Sequence, residues 1–425
     1  MKEVRPLHQV EIETKEKRYR GVVLKRPKLA DREHIVLKLD NGYNIGLKKS
    51  KIKSIKDLGS VKIEEHTITE QKKETDKPGV SIIATGGTIA SRVDYLTGGV
   101  HSAFSAAELI SAVPELSTLA NISGRQLFNK FSENIQPADW VSMAEAVAKE
   151  IREDASGVVV THGTDTMGYT AACLAFMLKA PVPVVLTGAQ RSSDRGSSDA
   201  ALNLIHSVKV AGEADYSGVC VVMHEGMSDD YSLIHNPTRV RKMHSSRRDA
   251  FQSVNSRPLG RVSTEDLEFP PEIAPRGGSL KLDSKLDDKV FLLKYHPGLN
   301  PGIVDSLVDL GHNGIVLEGT GLGHTSEDLF DSIKSAIDSG LFVCMSSQTL
   351  YGRVNMNVYS TGRMLLDYGV LSCRDMLPET ALVKLMWVLG HTRNKKKAGK
   401  MMLTNYAGEL SDRSGIDETL SVVES

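Results

Sequence analysis

From residue 79 onward the chain keeps returning to short apolar runs: Val80–Ala84, Val158–Val160, Val182–Leu186, Val219–Met223, Val290–Leu293, Ile315–Leu317 and Leu341–Met345. Each is bounded by Gly, Thr or another polar residue. A strand with one face in water alternates apolar and polar residues, whereas a run that is apolar at consecutive positions suits a strand buried on both faces of a parallel sheet. The segments between the runs read as helices. In ADWVSMAEAVAKEIRED, Trp140, Met143, Ala144, Val147 and Ile151 share one helical face, which makes Trp140 a core residue rather than a ligand contact. Alternating strands and helices predict a doubly wound α/β fold, with any site at the carboxyl ends of the strands.

The first 60 residues follow another rule. Val10, Ile12 and Thr14 alternate with charged residues, and Gly21–Leu24 is a second strand candidate. His34–Leu39 and Tyr43–Leu47 flank Asp40-Asn41-Gly42, a hairpin signal because Asn and Gly accept positive φ. This predicts a small all-β unit, a twisted β-barrel, over residues 1–60. Residues 61–78 are polar, end at Pro78-Gly79 and read as a linker. A larger α/β domain is then expected over 79–257, a Pro-, Gly- and charge-rich linker over 258–287, and a smaller α/β domain over 288–425.

Charge is uneven along the 425 residues. Residues 1–78 hold 20 Lys and Arg against 13 Asp and Glu, about seven positive charges in excess, while the whole chain stands at −1. That asymmetry points to an anionic partner for the first segment or to a lysine-rich solvated surface. No apolar run approaches the roughly 20 residues needed to cross a bilayer, and the N-terminus lacks the apolar centre of a secretory signal. Cys173, Cys220, Cys344 and Cys373 are far apart, which fits buried thiols in a reducing cytoplasm.

Three polar clusters fall at expected strand ends: Thr85-Gly86-Gly87-Thr88, Thr161-His162-Gly163-Thr164-Asp165-Thr166-Met167, and Arg239-Val240-Arg241-Lys242-Met243. A threonine there commonly caps the next helix. The alternative is nucleophilic chemistry. A neutral hydroxyl needs a base, and no GxSxG elbow is present. A Thr–Lys–Asp set would serve, with Lys242 deprotonating Thr164 and Asp165 orienting and binding. A lysine can act so only when its charged form is destabilised. His162 reads as a positioned, hydrogen-bonded residue. His224-Glu225 lacks the second histidine of HExxH, Gly319–Gly323 is not GxGxxG, and Arg393–Lys400 reads as a solvated face.

Together, TGGTIAS and VVTHGTDTMGYTA resemble the two signature segments of the L-asparaginase/glutaminase family. The similarity runs, with gaps, from about residue 79 to about 392 and includes LTGAQRSSDRGSSDAALNL, FQSVNSRPLG and GIVLEGTGLGH. It implies a two-domain asparaginase-like fold with parallel sheets. By the same resemblance Thr88 is the first-signature nucleophile, and Thr164 and Asp165 are the Thr-Asp of the second. Lys242 is the family lysine, Tyr95 the lid tyrosine, and Gly98-Gly99 the close of the lid. Ser132 and Glu133 sit where the family binds the substrate α-groups, although Glu133-Asn134 departs from the commoner glutamine-aspartate. The reaction implied is acyl transfer: a threonine attacks the side-chain amide of glutamine or asparagine, ammonia leaves, and water cleaves the acyl-enzyme. Which threonine attacks first stays open.

The basic extension of roughly 75 residues, the FSEN form and PETALVKLMWVLGHT narrow the likeness. They resemble the D-subunit branch of archaeal-type glutamyl-tRNA(Gln) amidotransferases. That implies a homodimeric core joined by the E subunit into a heterotetramer. The chain would release ammonia for conversion of Glu-tRNA(Gln) to Gln-tRNA(Gln). ATP and Mg are expected at the partner subunit, with no cofactor or metal in this chain. A free-standing L-asparaginase is the alternative.

Overall fold

The computed structural model describes residues 5–6, 8–15, 17–24, 33–39, 44–60, 74–86, 91–93, 100–102, 113–191 and 198–415. The N-terminal strands are β1 (His8–Thr14), β2 (Arg18–Val23), β3 (His34–Leu39), β4 (Asn44–Lys48) and β5 (Ile52–Ser60). They pair antiparallel in the order β4-β3-β2-β1-β5. Alternation sends Val10, Ile12, Val23, Leu37, Leu47 and Ile52 into one small core. Among the described residues no pairing joins β4 to β5. What stands here is therefore an antiparallel sheet, where the sequence predicted a closed barrel. Alternation reports which face is buried but not whether the two edges meet.

β6 (Gly79–Ala84) opens the larger α/β unit, and a short antiparallel pair follows, β7 (Ser91–Val93) with β8 (Val100–Ser102). Next come β9 (Asn121–Gln126), β10 (Gly157–Thr161), β11 (Leu178–Lys179), β12 (Pro183–Thr187) and β13 (Gly218–His224). β14 (Ser232–His235), β15 (Val240–Lys242), β16 (Phe251–Ser253), β17 (Gly260–Val262) and β18 (Leu267–Glu268) complete it. One sheet of eight strands runs β18-β17-β14-β13-β12-β10-β6-β9. Its centre, β9, β6, β10, β12 and β13, is parallel. Val80, Ile82, Val159, Val185, Cys220 and Val222 point into one core. Ile83, Val158, Val160, Val184, Leu186, Val221 and Met223 point into the other. Consecutive apolar residues thus serve opposite faces. Trp140, on the helix Pro137–Arg152, lies in the second core.

Residues 258–287 are more than a linker. They supply β17 and β18 to the sheet edge, and β19 (Lys281–Leu282), which pairs with β11. Pro and Gly mark short edge strands as readily as they mark linkers. The smaller unit is a parallel sheet in chain order, β20 (Val290–Lys294), β21 (Gly314–Gly319), β22 (Phe342–Ser347) and β23 (Leu371–Ser372). Helices Gly302–Asp309, Phe330–Asp338, Ser360–Tyr368 and Pro378–His391 cover it. The four cysteines are buried free thiols. No helix among the described residues is long and apolar enough to cross a membrane.

Candidate active site

Strand order locates the site before any side chain is considered. After β6 the chain crosses to β9 on one side and then to β10 on the other. The order of winding reverses between β6 and β10, and such a switch opens a crevice at the strands' carboxyl ends. Those ends carry the first two polar clusters. Thr85 donates from its amide to the Thr161 carbonyl at 3.1 Å and from Oγ1 to the same oxygen at 2.8 Å. Gly86 has φ +123°, and a Cβ there would lie 2.1 Å from the carbonyl oxygen of Lys130, so only glycine fits. Thr88, Tyr95, Gly98 and Gly99 lie outside the described residues. The described strands β7 and β8 pair Val93 with Val100.

The second cluster is fixed from beneath. Trp140 Nε1 donates to Thr170 Oγ1 at 3.0 Å, and that hydroxyl lies 3.0 Å from His162 Nε2, to which it donates. His162 Nδ1–H then donates to the Gly163 carbonyl at 2.7 Å, which sets the tautomer. Complete burial drives the imidazole's pKa down to about 4. His162 is therefore a neutral strut under the loop rather than a base facing the crevice.

Glycines let two segments close on this loop. A Cβ on Gly163 would sit 2.8 Å from Ser132 Cβ, and one on Gly188 would sit 3.0 Å from Thr164 Cγ2. Ser132 is buried at the start of the 3-10 turn Ser132–Asn134, and its carbonyl accepts from Thr166 Oγ1 at 2.7 Å. Glu133, next to it, is exposed. Lys130 pairs with Asp139 at 2.7 Å, tying this turn to the start of helix Pro137–Arg152.

Lys242 arrives from β15, which pairs with β16 as Lys242 opposite Phe251. Its Nζ donates to Thr164 Oγ1 at 2.9 Å and to Asp165 Oδ1 at 2.8 Å. The lysine side chain is 15% exposed and the aspartate 67%, so the amine sits at the floor and the carboxylate faces solvent. Both neighbouring arginines are spoken for: Arg241 pairs with Glu379 at 3.0 Å and Arg239 with Asp375 at 2.9 Å. Neither faces the lysine as an unpaired cation.

Thr164, Asp165 and Lys242 therefore meet, and Ser132 abuts their loop. Gly188, Thr170 and the partners of Arg239 also shape the site; the first two lie inside the family-like segments LTGAQRSSDRGSSDAALNL and VVTHGTDTMGYTA without being singled out there, and no motif marks the partners of Arg239. Arrangements of this kind, a hydroxyl and a carboxylate on one amine at a sheet switch point, can deliver and remove protons at a bound carbonyl or amide.

Residues 79–274 match the asparaginase N-terminal family model, and residues 289–402 the glutaminase/asparaginase C-terminal domain model. Residues 4–58 match the model described as the GatD N-terminal domain. The glutamyl-tRNA(Gln) amidotransferase D subunit of Pyrococcus furiosus is 53% identical over 409 residues, 95% of this chain and 93% of that protein. Its counterpart from Methanothermobacter thermautotrophicus is 50% identical over 401 residues, 94% of this chain and 92% of that one. Among solved structures, the thermostable L-asparaginase from Thermococcus kodakarensis aligns with a TM-score of 0.71 and 34% identity, covering 78% of this chain and 99% of its own. L-asparaginase I from Vibrio cholerae gives 0.69 at 26% identity, with 79% and 99% covered.

Proposed function

The chain belongs to the D-subunit family of glutamyl-tRNA(Gln) amidotransferases, and from that premise we propose how it acts: as the amide-hydrolysing component that supplies ammonia for tRNA-dependent amidation. The observation that carries the assignment is Lys242 Nζ bonded at once to Thr164 Oγ1 and Asp165 Oδ1. In this reading a threonine oxygen, of Thr88 or Thr164, bonds to the side-chain amide carbon of glutamine or asparagine. The hydroxyl proton passes through the Lys242 amine to the leaving nitrogen, and ammonia departs. Water then cleaves the acyl-enzyme ester, releasing the acid and restoring the hydroxyl.

As an ammonium, Lys242 holds Thr164 and Asp165 in place but cannot accept a proton. A substrate α-ammonium arriving at Asp165 competes for that carboxylate and adds a like charge beside Nζ. In this reading the lysine takes the threonine proton once substrate has engaged that carboxylate. Ser132 and Glu133 would hold the substrate α-groups, and Tyr95 would close over them. The ATP- and Mg-dependent activation of Glu-tRNA(Gln) would fall to the E subunit, bound to a homodimer of this chain as a cytoplasmic heterotetramer.

The test is ammonia release from glutamine and from asparagine by the full chain, alone and with the partner, Glu-tRNA and ATP. Stimulation by those additions, abolished in Lys242→Ala and Thr164→Val, is expected. Turnover of asparagine that ignores the additions would instead make the chain an independent asparaginase.

A further inference from the structure

Lys242 is placed by an unusual route. Among the described residues its strand, β15, belongs to none of the larger sheets and pairs with the three residues of β16 alone. So short a hairpin is loose unless something else holds it. Val240 and Phe251 pack it into the core, and the segment that follows the helix Lys395–Met402 grips the residues leading into it. That segment lies beyond residue 402, where the match to the glutaminase/asparaginase C-terminal model stops.

The contacts converge on Arg239, three residues before Lys242. Its guanidinium is 1% exposed and uses both edges of its fork. Nε donates to the Gly408 carbonyl at 2.9 Å, Nη1 to the Asp375 carbonyl at 2.9 Å, and Nη2 to Asp375 Oδ2 at 2.9 Å and Ser411 Oγ at 3.0 Å. Thr238 Oγ1 donates to the Ala407 carbonyl at 3.0 Å. Gly408 has φ +79°, and a Cβ there would meet Asn236 Nδ2 at 2.3 Å. The strap is itself anchored by Lys384, fully buried on the helix Pro378–His391. Lys384 Nζ donates to the carbonyls of Met402 and Thr404 at 2.7 Å and to Glu409 Oε1 at 2.5 Å. A buried cation with all its acceptors on another segment fixes the two against each other, because no water can replace a lost partner.

We propose that Arg239 is a positioning residue for Lys242, acting through the C-terminal strap of residues 403–411. The proposal rests on the catalytic reading of Lys242. The strap lets the smaller unit and the tail set where the amine stands relative to Thr164. Movement of the strap would move the amine, and with it the rate of ammonia release.

The experiment uses the full chain with its partner, in wild-type form and as Arg239→Lys, Ser411→Ala and Gly408→Ala. Arg239→Lys keeps the charge but loses the fork. Ser411→Ala removes a single acceptor and guards against misfolding of the others. Gly408→Ala displaces the strap, and with it one acceptor of the arginine, while the arginine side chain itself is kept. Hydrogen exchange over residues 239–243 and the kinetics of glutamine hydrolysis are read together. Faster exchange over 239–243 and the strap, with β10 unchanged, is expected in all three variants. In Arg239→Lys and Gly408→Ala, kcat should fall about tenfold or more with KM within about twofold, and Ser411→Ala should lose less. Unchanged kcat, a loss carried by KM, or exchange that rises equally in β10 overturns the proposal. A wild-type complex that hydrolyses neither glutamine nor asparagine overturns the functional reading instead.

Discussion

At the scale of single residues, the site is a set of polar atoms each given one task by its partners. Lys242 is partly buried with two acceptors, and in the proposed mechanism removing it leaves Thr164 without its base. Lys242→Ala is expected to lower kcat for ammonia release by about 10²–10⁴, with the circular dichroism spectrum unchanged; a loss under about tenfold would remove the lysine from the mechanism. Thr170 has a different task. In Thr170→Val, Trp140 Nε1 and His162 Nε2 both lose their partner inside the core. Urea unfolding should show a loss of about 1–3 kcal/mol, and a variant as stable as wild type would mean that the relay is not needed. The motif was legible here because its residues are contiguous in sequence. The relay was not, because Trp140 reads as an ordinary helix-face residue, and nothing in the signature segment singles out Thr170, until their helices are packed.

At the scale of elements, the crevice depends on backbones approaching closer than side chains permit. Gly163 against Ser132 and Gly188 against Thr164 are two such approaches. Gly163→Ala should push the Ser132 turn away and raise KM for glutamine several-fold, measured by steady-state ammonia release; an unchanged KM would separate Ser132 from substrate binding. The strap poses the opposite problem, because it brings charges together without water. Lys384 and Glu409 are both 0% exposed. Lys384→Ala, which strands the Glu409 carboxylate in the interior, is expected to cost about 3–5 kcal/mol of unfolding free energy. A cost under about 1 kcal/mol by urea titration would show that water reaches the pair. Apolar runs foretold the parallel strands, since a strand buried on both faces has no choice of residue. β9 (Asn121–Gln126) carries polar residues as the last strand of its sheet, so nothing in its composition separated it from a loop.

At the scale of the whole molecule, several buried imidazoles bind stability to pH. Burial lowers His162 and His206 to about 4 and His235 to about 3. An unfolded chain protonates these rings below about pH 6.5, whereas the folded chain resists until about pH 4. The unfolded state thus binds more protons in that window. Their contribution is fully present above about pH 6.5 and is lost as pH falls toward about 4. The urea midpoint should be level from about pH 8 to 7 and drop steeply from about 6.5 to 4.5; a midpoint flat across that window would show the rings to be hydrated.

The two α/β units, their order and the Thr-Asp signature were fixed by the chain's own pattern, because burial on both faces and a strand-end turn each impose their residues locally. The sequence also set Lys242 apart from neighbouring cations, through its likeness to a family. Only the folded chain decided that the amine touches both Thr164 and Asp165, across 77 residues of sequence separation from the latter. Tertiary structure alone likewise decided that Arg239 serves the tail and that the N-terminal strands form a sheet whose edges stay unpaired among the described residues. Hydrogen bonds between distant segments depend on where packing brings them, and no periodicity along one strand or helix records that.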